Sequence, residues 1–254
     1  MNRSNFVHVV LVATTLVAAP AAAQDFSIVN KVYSGRDLVS SSTTLFEGDR
    51  AYDFLVHPDE TIILSPVEGK IDLLDNANKI RAEVTNEELT SFGEALRQKA
   101  QRAESEAMRF YAEPAFREEL DPETREVVLS SPWITYRAKP VAPPNADVLR
   151  RYEKYVSWQA QLNALVNPGA PPAGPRMELN SALARRQMLA EEVSVRRTST
   201  APGGNASLRA EHRFTWQLGD PDRARIAEAK QRMQSYRLVP VSEYVRMLMQ
   251  TARR

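Results

Sequence analysis

The chain has 254 residues, of which 33 are basic and 32 acidic, so its formal net charge is +1 at pH 7. It contains no cysteine, which excludes disulfides, thiolate catalysis and zinc–thiolate sites. The balanced charge argues against a general electrostatic attraction to nucleic acid or to an anionic membrane. We therefore expect no nucleic-acid partner, no metal site and no cofactor.

The first 23 residues have the pattern of a secretory signal peptide. A short basic start at Asn2-Arg3 is followed by a largely apolar segment, Phe6 to Ala19, which is too short for a permanent membrane-spanning helix. Pro20 ends this segment, and Ala21-Ala22-Ala23 supplies the small side chains that a signal peptidase requires. We expect cleavage after Ala23 and export to the periplasm or beyond. The mature residues 24–254 should form a single α+β domain without a further membrane span.

The stretch from Thr43 to Val84 organises the predicted fold. Its short apolar runs are separated by four clusters of turn-forming residues, at 47–49, 57–59, 67–69 and 75–78. Between these clusters apolar and polar side chains alternate. A period of two with such close turns predicts an antiparallel meander with one buried face. Residues 25–42 are predicted to form a lead-in strand or a short helix.

After the meander the hydrophobic period changes to that of a helix. Thr85 and Glu88 have the spacing of a capping box, in which each residue satisfies a backbone N–H group of the other. Apolar residues three or four apart then predict one long helix that ends before Pro114. Further helices are predicted at 145–166, at 178–190, after Asp220-Pro221 and at 241–249, with an exposed proline-rich loop at 167–175.

Further strands are predicted between and after these helices. Glu126–Ser130 and Trp133–Ala138 are interpreted as one strand interrupted at Ser131-Pro132, because proline favours a sheet edge or a bulge. The later strands are too few to be stable alone, so we expect them to complete the first sheet. The predicted fold class is α+β, with an antiparallel β-meander sheet that is curved, up to a half-barrel, and packed by several α-helices.

A regular alternation marks the strand from Ala206 to Leu218. It follows the strand Glu191–Thr200 after a hairpin turn at 201–205, and it predicts one buried and one wet face. Solid packing of the predicted buried face would make Trp216→Ala cost about 3–5 kcal/mol, whereas a ligand cavity would reduce that loss. The candidate ligand pocket combines this face with aromatic residues of the meander: His212, Phe214, Trp216, Tyr52 and Phe54.

The segment Leu45–Phe54, LFEGDRAYDF, is followed by a proline turn and further short strands. It resembles the meander of periplasmic lipoprotein-carrier proteins, in which a short turn leads into a strand with an aromatic-x-aromatic pattern. The resemblance is confined to the meander and assigns no functional residue. It implies a curved antiparallel sheet that is closed by helices around an apolar cavity.

Few residues have the spacing that catalysis requires. His57 lies in a turn beside Asp59 and Glu60, and we interpret it as a turn residue because a metal site needs three or four convergent ligands. The serine run at 40–42 lacks the Gly-x-Ser-x-Gly elbow of hydrolases. The sequence also contains no glycine-rich phosphate loop and no His-Glu-x-x-His motif. We therefore predict a protein without enzymatic activity.

Three functions remain open at this point. The first is an exported binding protein that holds an apolar ligand, such as a lipid or an acyl chain, in a cavity lined by the sheet. The second is an envelope scaffold or protein-interaction module, which has a filled core and an envelope protein as its partner. The third is a hydrolase, for which no triad or metal constellation is present. A cavity above about 300 Å³ on the concave face of the sheet would favour the first function over the second.

Overall fold

The computed structural model describes residues 24–167, 170–198, 200–202 and 205–251. The predicted signal peptide lies outside the described residues, as do parts of the proline-rich loop and of the turn at 201–205. Within the described residues the strands are β1 (Phe26–Ser34), β2 (Asp37–Glu47), β3 (Arg50–Leu55), β4 (Glu60–Ser65), β5 (Lys70–Asp75), β6 (Ile80–Thr85), β7 (Arg117–Leu120), β8 (Val127–Ser130), β9 (Ile134–Val141), β10 (Leu189–Arg197), β11 (Ala206–Thr215) and β12 (Arg237–Leu238). The helices are α1 (Asn86–Gln101), α2 (Glu106–Ala112), α3 (Ala146–Val166), α4 (Gly174–Arg185), α5 (Asp220–Ser235) and α6 (Val241–Thr251).

All of these strands belong to one open sheet, with the order β12-β6-β5-β4-β3-β2-β1-β11-β10-β9-β8-β7. Neighbouring strands are antiparallel except for β12 and β6, which pair in parallel. The predicted fold class is confirmed: the protein is α+β, with a curved antiparallel meander sheet packed by helices. Of the strands that follow the meander, β7 to β11 extend the same sheet beside β1, and β12 pairs with β6 at the opposite edge.

The meander forms where the turn chemistry predicts it. Strands β2 to β6 are consecutive in both the chain and the sheet. Gly48 and Gly69, in two of the turns, have φ angles of 58° and 67°, which glycine adopts without steric cost. Residues 25–42, predicted as a lead-in strand or a short helix, form β1 and the first part of β2 and contain no helix. The two strands are joined by a turn at Gly35, which has a φ angle of 60°.

Helices cover the two faces of the sheet unequally. On the inner face, which carries Ile28, Phe46 and Leu73, helices α3 and α6 pack over the meander. Helices α2 and α4 continue this layer over β8, β9 and β10. On the outer face, which carries Tyr52 and Leu74, α5 packs over the meander. Over β1, β11, β10 and β9 the outer side chains are half-exposed or exposed, apart from Ser27 at the start of β1.

The N-terminal capping box is confirmed, but the single long helix that should follow it is wrong. The Thr85 side chain accepts a hydrogen bond from the Glu88 amide at 3.1 Å, and the Glu88 carboxylate accepts one from the Thr85 amide at 2.8 Å. The helix then stops at Gln101. Ser105 begins α2 as its N-cap, with its hydroxyl accepting from the Met108 amide at 3.3 Å. A second capping residue therefore divides the predicted helix in two.

The interpretation of residues 126–138 as one interrupted strand is also wrong. Ser131-Pro132 reverses the chain, so that β8 and β9 pair antiparallel as a hairpin. The Ser131 amide donates to the Ile134 carbonyl at 3.0 Å, and the Ser131 hydroxyl accepts from the Ile134 amide at 3.0 Å. A serine side chain thus completes the turn. The edge strand β7, which pairs with β8, was not predicted.

The predicted helix at 178–190 exists, but its bounds are wrong. Helix α4 begins at Gly174, with Pro175 in its first turn, and it ends at Arg185. Proline is favoured there because the first helical N–H groups have no intrahelical acceptor. Gln187, with a φ angle of 56°, turns the chain, and β10 has already begun at Leu189. The proline-rich segment therefore runs directly into a helix.

Helix α3 agrees with its prediction and brings polar groups to the inner face. Asn145 caps it by accepting a hydrogen bond from the Val148 amide at 2.9 Å. Tyr152 and Tyr155, three residues apart, are both buried against the sheet. Arg151 is also buried, and its guanidinium donates to the Gly48 carbonyl at 2.7 Å. Among the described helices, none combines the length and apolarity needed to cross a membrane.

Candidate functional site

Strands β10 and β11 separate part of the way along the sheet. β11 remains paired with β1 as far as Thr215, which lies opposite Ser27. Its pairing with β10 ends earlier, where Glu211 lies opposite Glu192. β10 instead follows β9 down to Leu189 and has a bulge between Ala190 and Glu192. The sheet therefore has a gap beside residues 212–216 of the chain.

This gap forms a cleft of about 510 Å³. Its volume lies within the range of small-molecule sites, which is about 300–1,000 Å³. The cleft is lined by apolar and charged side chains together with His212. The apolar residues are Val29, Val141, Phe214 and Trp216, and the charged residues are Lys31, Lys139, Arg213, Glu191, Glu192 and Glu211.

Two stacked aromatic rings form one wall of the cleft. Phe214 and Trp216 have ring centroids 5.3 Å apart and an interplanar angle of 14°. Tyr152 of α3 packs edge-on against Phe214 at 5.9 Å, from the inner side of the sheet. Trp216 continues the cluster to Phe26 at 6.1 Å. These neighbours hold the pair in place, while both rings remain partly exposed, so this face of β11 is less buried than the alternation predicted.

His212 is held on the cleft wall by a hydrogen bond to Asn30 of β1. His212 Nδ1 lies 2.8 Å from Asn30 Oδ1. The Asn30 amide nitrogen donates to Ser42 Oγ at 3.1 Å and to Thr44 Oγ1 at 2.9 Å, so Oδ1 is left to accept from His212. Burial lowers the pKa of His212 to about 4, and the charge of Arg176 acts in the same direction. The imidazole is therefore neutral at pH 7 and carries its proton on Nδ1.

The hydrogen bonds continue from Asn30 to a buried carboxyl group. Thr44 Oγ1 donates to Asp53 Oδ1 at 2.9 Å and lies 3.1 Å from the Tyr155 hydroxyl. Asp53 is only 3% exposed. Burial raises the pKa of Asp53, and hydrogen bonds from Ser42, Thr44 and Tyr155 offset part of that rise. The network links the cleft to the interior through hydroxyl and amide groups.

The structure brings three of the five predicted pocket residues together. His212, Phe214 and Trp216 all line the cleft. Tyr52 and Phe54 lie on the outer face instead, in the cluster beneath α5. Phe54 contacts a separate surface depression of about 160 Å³, where the Arg225 guanidinium lies 4.3 Å from its ring centroid.

The register of three strand pairs explains this separation. Phe214 lies opposite Ile28, Ile28 opposite Thr44, and Thr44 opposite Asp53. Asp53 therefore shares the inner face with Phe214, whereas its neighbours Tyr52 and Phe54 point to the outer face. The polar members of the network, Asn30, Thr44, Asp53 and Tyr155, were not predicted as site residues. The one available signal was the acidic residue Asp53 between two aromatic residues.

The other titratable groups of the described residues lie apart from the cleft or pair with one another. In the part of the chain that the structure describes, no three or more His, Cys, Asp and Glu side chains converge for a metal ion. Glu60 is buried and accepts a hydrogen bond from the Tyr244 hydroxyl of α6. Burial raises the pKa of Glu60 to about 7, and the negative charge of Asp75 adds to that rise. This pair joins α6 to the meander and lies outside the cleft.

The comparisons with known proteins assign no function. The chain matches no protein-family model, and no curated protein sequence matches it. The cleft and its chemistry are therefore the basis for a functional proposal.

Proposed function

We propose that the protein is an exported, non-enzymatic binding protein, and that its cleft holds an amphipathic anion such as a fatty acid. The observation that carries this proposal is the gap between β10 and β11, where the Phe214 and Trp216 rings border a cleft of about 510 Å³. Stacked aromatic side chains supply a large, rigid apolar surface. The apolar part of the ligand would lie against these rings.

The charges around the cleft favour an anionic end on the ligand. Glu191 is neutralised by Lys139 at 2.7 Å, and Glu192 and Glu211 both pair with Arg209. Lys31 and Arg213 also line the cleft and are exposed, and neither forms an ion pair within the described residues. A carboxylate at the outer-face opening of the cleft would lie beside the two unpaired cations, Lys31 and Arg213.

Dodecanoate binding tests the proposal directly. We expect saturable binding by calorimetry, and we expect the double variant Lys31→Ala/Arg213→Ala to bind about fivefold more weakly, because each exposed charge contributes less than about 1 kcal/mol. Arg36→Ala, at the exposed β1–β2 turn, is the matched control and should bind normally. Native mass spectrometry of protein purified from its own envelope should also show copurified lipid. Absence of both dodecanoate binding and copurified lipid would overturn the proposal.

An envelope scaffold is the second candidate, and the packing of the meander favours it. The inner face there, where an enclosed apolar cavity was expected, is filled by buried side chains, including Ile71, Leu73 and Ala82 of the sheet and Tyr155 and Trp158 of α3. A scaffold would bind an envelope protein and no small molecule. The same calorimetric titration separates the two functions, because a scaffold would give no heat of dodecanoate binding.

A further inference from the structure

Strand β7 forms one edge of the sheet, and no strand of the described residues lies on its far side. Its residues, Arg117–Leu120, are all exposed. The opposite edge is formed by β12, which has only two residues. A free sheet edge carries unpaired N–H and C=O groups and can therefore pair with the strand of another chain. β7 is the longer of the two edges at which such pairing can occur.

The register with β8 shows which backbone groups of β7 face the free edge. The Asp121 amide donates to the Glu126 carbonyl at 2.9 Å, directly after the last paired residues of the two strands. In an antiparallel ladder, residue pairs that exchange hydrogen bonds alternate with pairs that exchange none. Glu119, two residues before Asp121, therefore also bonds to β8. Glu118 and Leu120 direct their N–H and C=O groups to the free edge.

The side chains of this edge are complementary to themselves in an antiparallel pair. The sequence is Phe116-Arg117-Glu118-Glu119-Leu120. When two copies pair with Glu118 opposite Glu118, Arg117 of each copy lies opposite Glu119 of the other. Phe116 then lies opposite Leu120. Charges on an edge strand usually prevent pairing, but opposite charges in directly opposed positions stabilise it.

The two Glu118 carboxylates are neutralised before they meet. Glu118 lies opposite Leu129 of β8, which belongs to the packed inner face. There Arg185 of α4 donates to Glu118 Oε2 at 2.5 Å, and Arg186 donates to Oε1. Each carboxylate therefore reaches the two-fold axis together with two cations. Both copies use the same residues, as an interface with two-fold symmetry requires.

Other symmetric registers bring like charges together. A two-fold axis must pass through a residue of β7, because two opposed residues must both face the free edge or both face away from it. An axis at Arg117 or at Glu119 places that residue opposite its own copy. An axis at Leu120 places Glu119 opposite Asp121. The register centred on Glu118 is the one that pairs opposite charges and apolar side chains throughout.

We propose that β7 is a homodimer interface, in which two copies of the protein pair antiparallel about a two-fold axis at Glu118. The sheet of one copy continues into the sheet of the other. Leu120, which is 40% exposed in the single chain, gains an apolar neighbour in Phe116 of the second copy. The contact is short and buries less area than a stable interface does, so the association is weak. The cleft lies beside β10 and β11, so this dimer does not depend on a ligand.

Charge exchange across the axis tests the proposal. We expect sedimentation equilibrium of the purified protein to show a monomer that converts to a dimer between roughly 10 and 500 µM, as weak interfaces do. Glu119→Arg places arginines opposite each other at two symmetric positions, and it should weaken the dimer at least about tenfold. Arg117→Glu should have the same effect. The double variant Arg117→Glu/Glu119→Arg exchanges the two charges and should restore the dimer.

Controls separate the interface from general effects of charge and from the cleft. Asp37→Arg makes the same change of charge at an exposed position of β2 and should leave the dimer intact. Glu119→Arg should keep the thermal stability of the native protein, and its binding of dodecanoate should be unchanged. A dimer that is unaffected by Glu119→Arg would overturn the proposal, as would a double variant that folds but remains monomeric. A native protein that is monomeric up to about 500 µM would also overturn it.

A proline substitution tests the backbone contribution. The Leu120 N–H group faces the free edge, so Leu120→Pro removes a donor to the second copy and leaves the ladder with β8 in place. We expect this variant to remain folded in thermal unfolding and to be monomeric at concentrations where the native protein is dimeric. A folded Leu120→Pro variant that dimerises like the native protein would show that the strands do not pair through this edge.

Discussion

The two halves of the sheet differ in how many of their faces are covered by helices. In the meander, β2 to β6, helices pack on both faces, and every residue of β4 is buried. In β9, helices pack on one face, and buried residues alternate with half-exposed ones over most of the strand. We call these the covered half and the open half. When helices cover both faces of a strand, all of its side chains are buried, including the polar ones.

That requirement explains where the buried acids lie. The buried acidic residues of the described chain are Asp53, Glu60, Asp72 and Asp75, all in β3, β4 and β5 of the covered half. Burial raises the pKa values of Asp53, Glu60 and Asp72. In the open half, no helix of the described residues covers the outer face, and the polar side chains of that face reach solvent. Strands β10 and β11 can therefore separate without disrupting a helix packed on the outer face. The cleft therefore forms in the open half.

Truncation of outer-face residues should give the largest contrast between the halves. Leu74, in the covered half, is 0% exposed beneath α5, so Leu74→Ala should destabilise the protein by about 2–5 kcal/mol. Val29 lies on the outer face of β1 and is 38% exposed, so Val29→Ala should change stability by less than about 0.5 kcal/mol. Urea unfolding of both variants measures this difference. Similar losses in the two variants would contradict the unequal coverage.

The buried carboxyl of Glu60 should make the covered half sensitive to pH. Burial raises the pKa of Glu60 to about 7, from 4.5 in the unfolded chain. Between these two pKa values, the folded state binds a proton that the unfolded state has lost. The contribution of this proton to stability is complete below pH 4.5, and it is lost as the pH rises through 7. Because one pH unit is worth about 1.4 kcal/mol, ionising Glu60 in the fold costs about 3 kcal/mol.

Glu60→Gln tests this cost. Glutamine stays neutral and can still accept the hydrogen bond of Tyr244. We expect the variant to exceed the native protein in stability by about 3 kcal/mol at pH 8, and to match it at pH 4. Unfolding free energies measured across this range provide the check, with Glu104→Gln at an exposed position as the control. A constant difference between variant and native protein at all pH values would refute the assignment.

Local patterns predicted much of the fold, and the errors in the element boundaries arose where one local pattern is compatible with two structures. The meander turns depend on residues within a few positions, so Gly48 and Gly69 mark them directly. The reversal at Ser131-Pro132 was missed because a turn completed by a serine side chain resembles a strand interruption. The break between α1 and α2 was missed because the apolar spacing continues through Ser105.

The candidate site was predictable only in part, because some of its features depend on one strand and others on the pairing between strands. Alternation along one strand was enough to group His212, Phe214 and Trp216. The face of Tyr52 and Phe54 relative to that group depends on the register of three strand pairs, which no local pattern specifies. The gap between β10 and β11 depends on where their pairing ends, and that is likewise set by distant segments.

Trp216→Ala should have a moderate effect because the ring borders the cleft. Its partial exposure means that part of the ring already faces open space. We expect a loss of about 2 kcal/mol, clearly below the roughly 3–5 kcal/mol expected for Phe46→Ala, which removes a fully packed ring of the covered half. Chemical denaturation compares the two variants. A loss for Trp216→Ala equal to that for Phe46→Ala would show a filled core at the cleft.

The smallest expected effects concern the helix caps that serve the two halves. Thr85 begins α1, which packs on α3 and β6 of the covered half, and it forms both hydrogen bonds of a capping box. Ser105 begins α2, which packs over the open half, and it forms a single, longer capping bond of 3.3 Å. Thr85→Ala should therefore cost about 1 kcal/mol, and Ser105→Ala about 0.5 kcal/mol.

Hydrogen exchange can locate these losses as well as measure them. Each variant should show faster exchange of amides in the first turn of its own helix, because that turn loses the acceptor that the cap provides. The exposed Thr90 hydroxyl bonds only to the carbonyl of its own helix, so Thr90→Ala is a matched control for Thr85. If Thr85→Ala leaves thermal unfolding and the exchange of α1 unchanged, the helix does not depend on this cap. A larger loss for Ser105→Ala than for Thr85→Ala would mean that the open half depends more on its helix ends than its packing indicates.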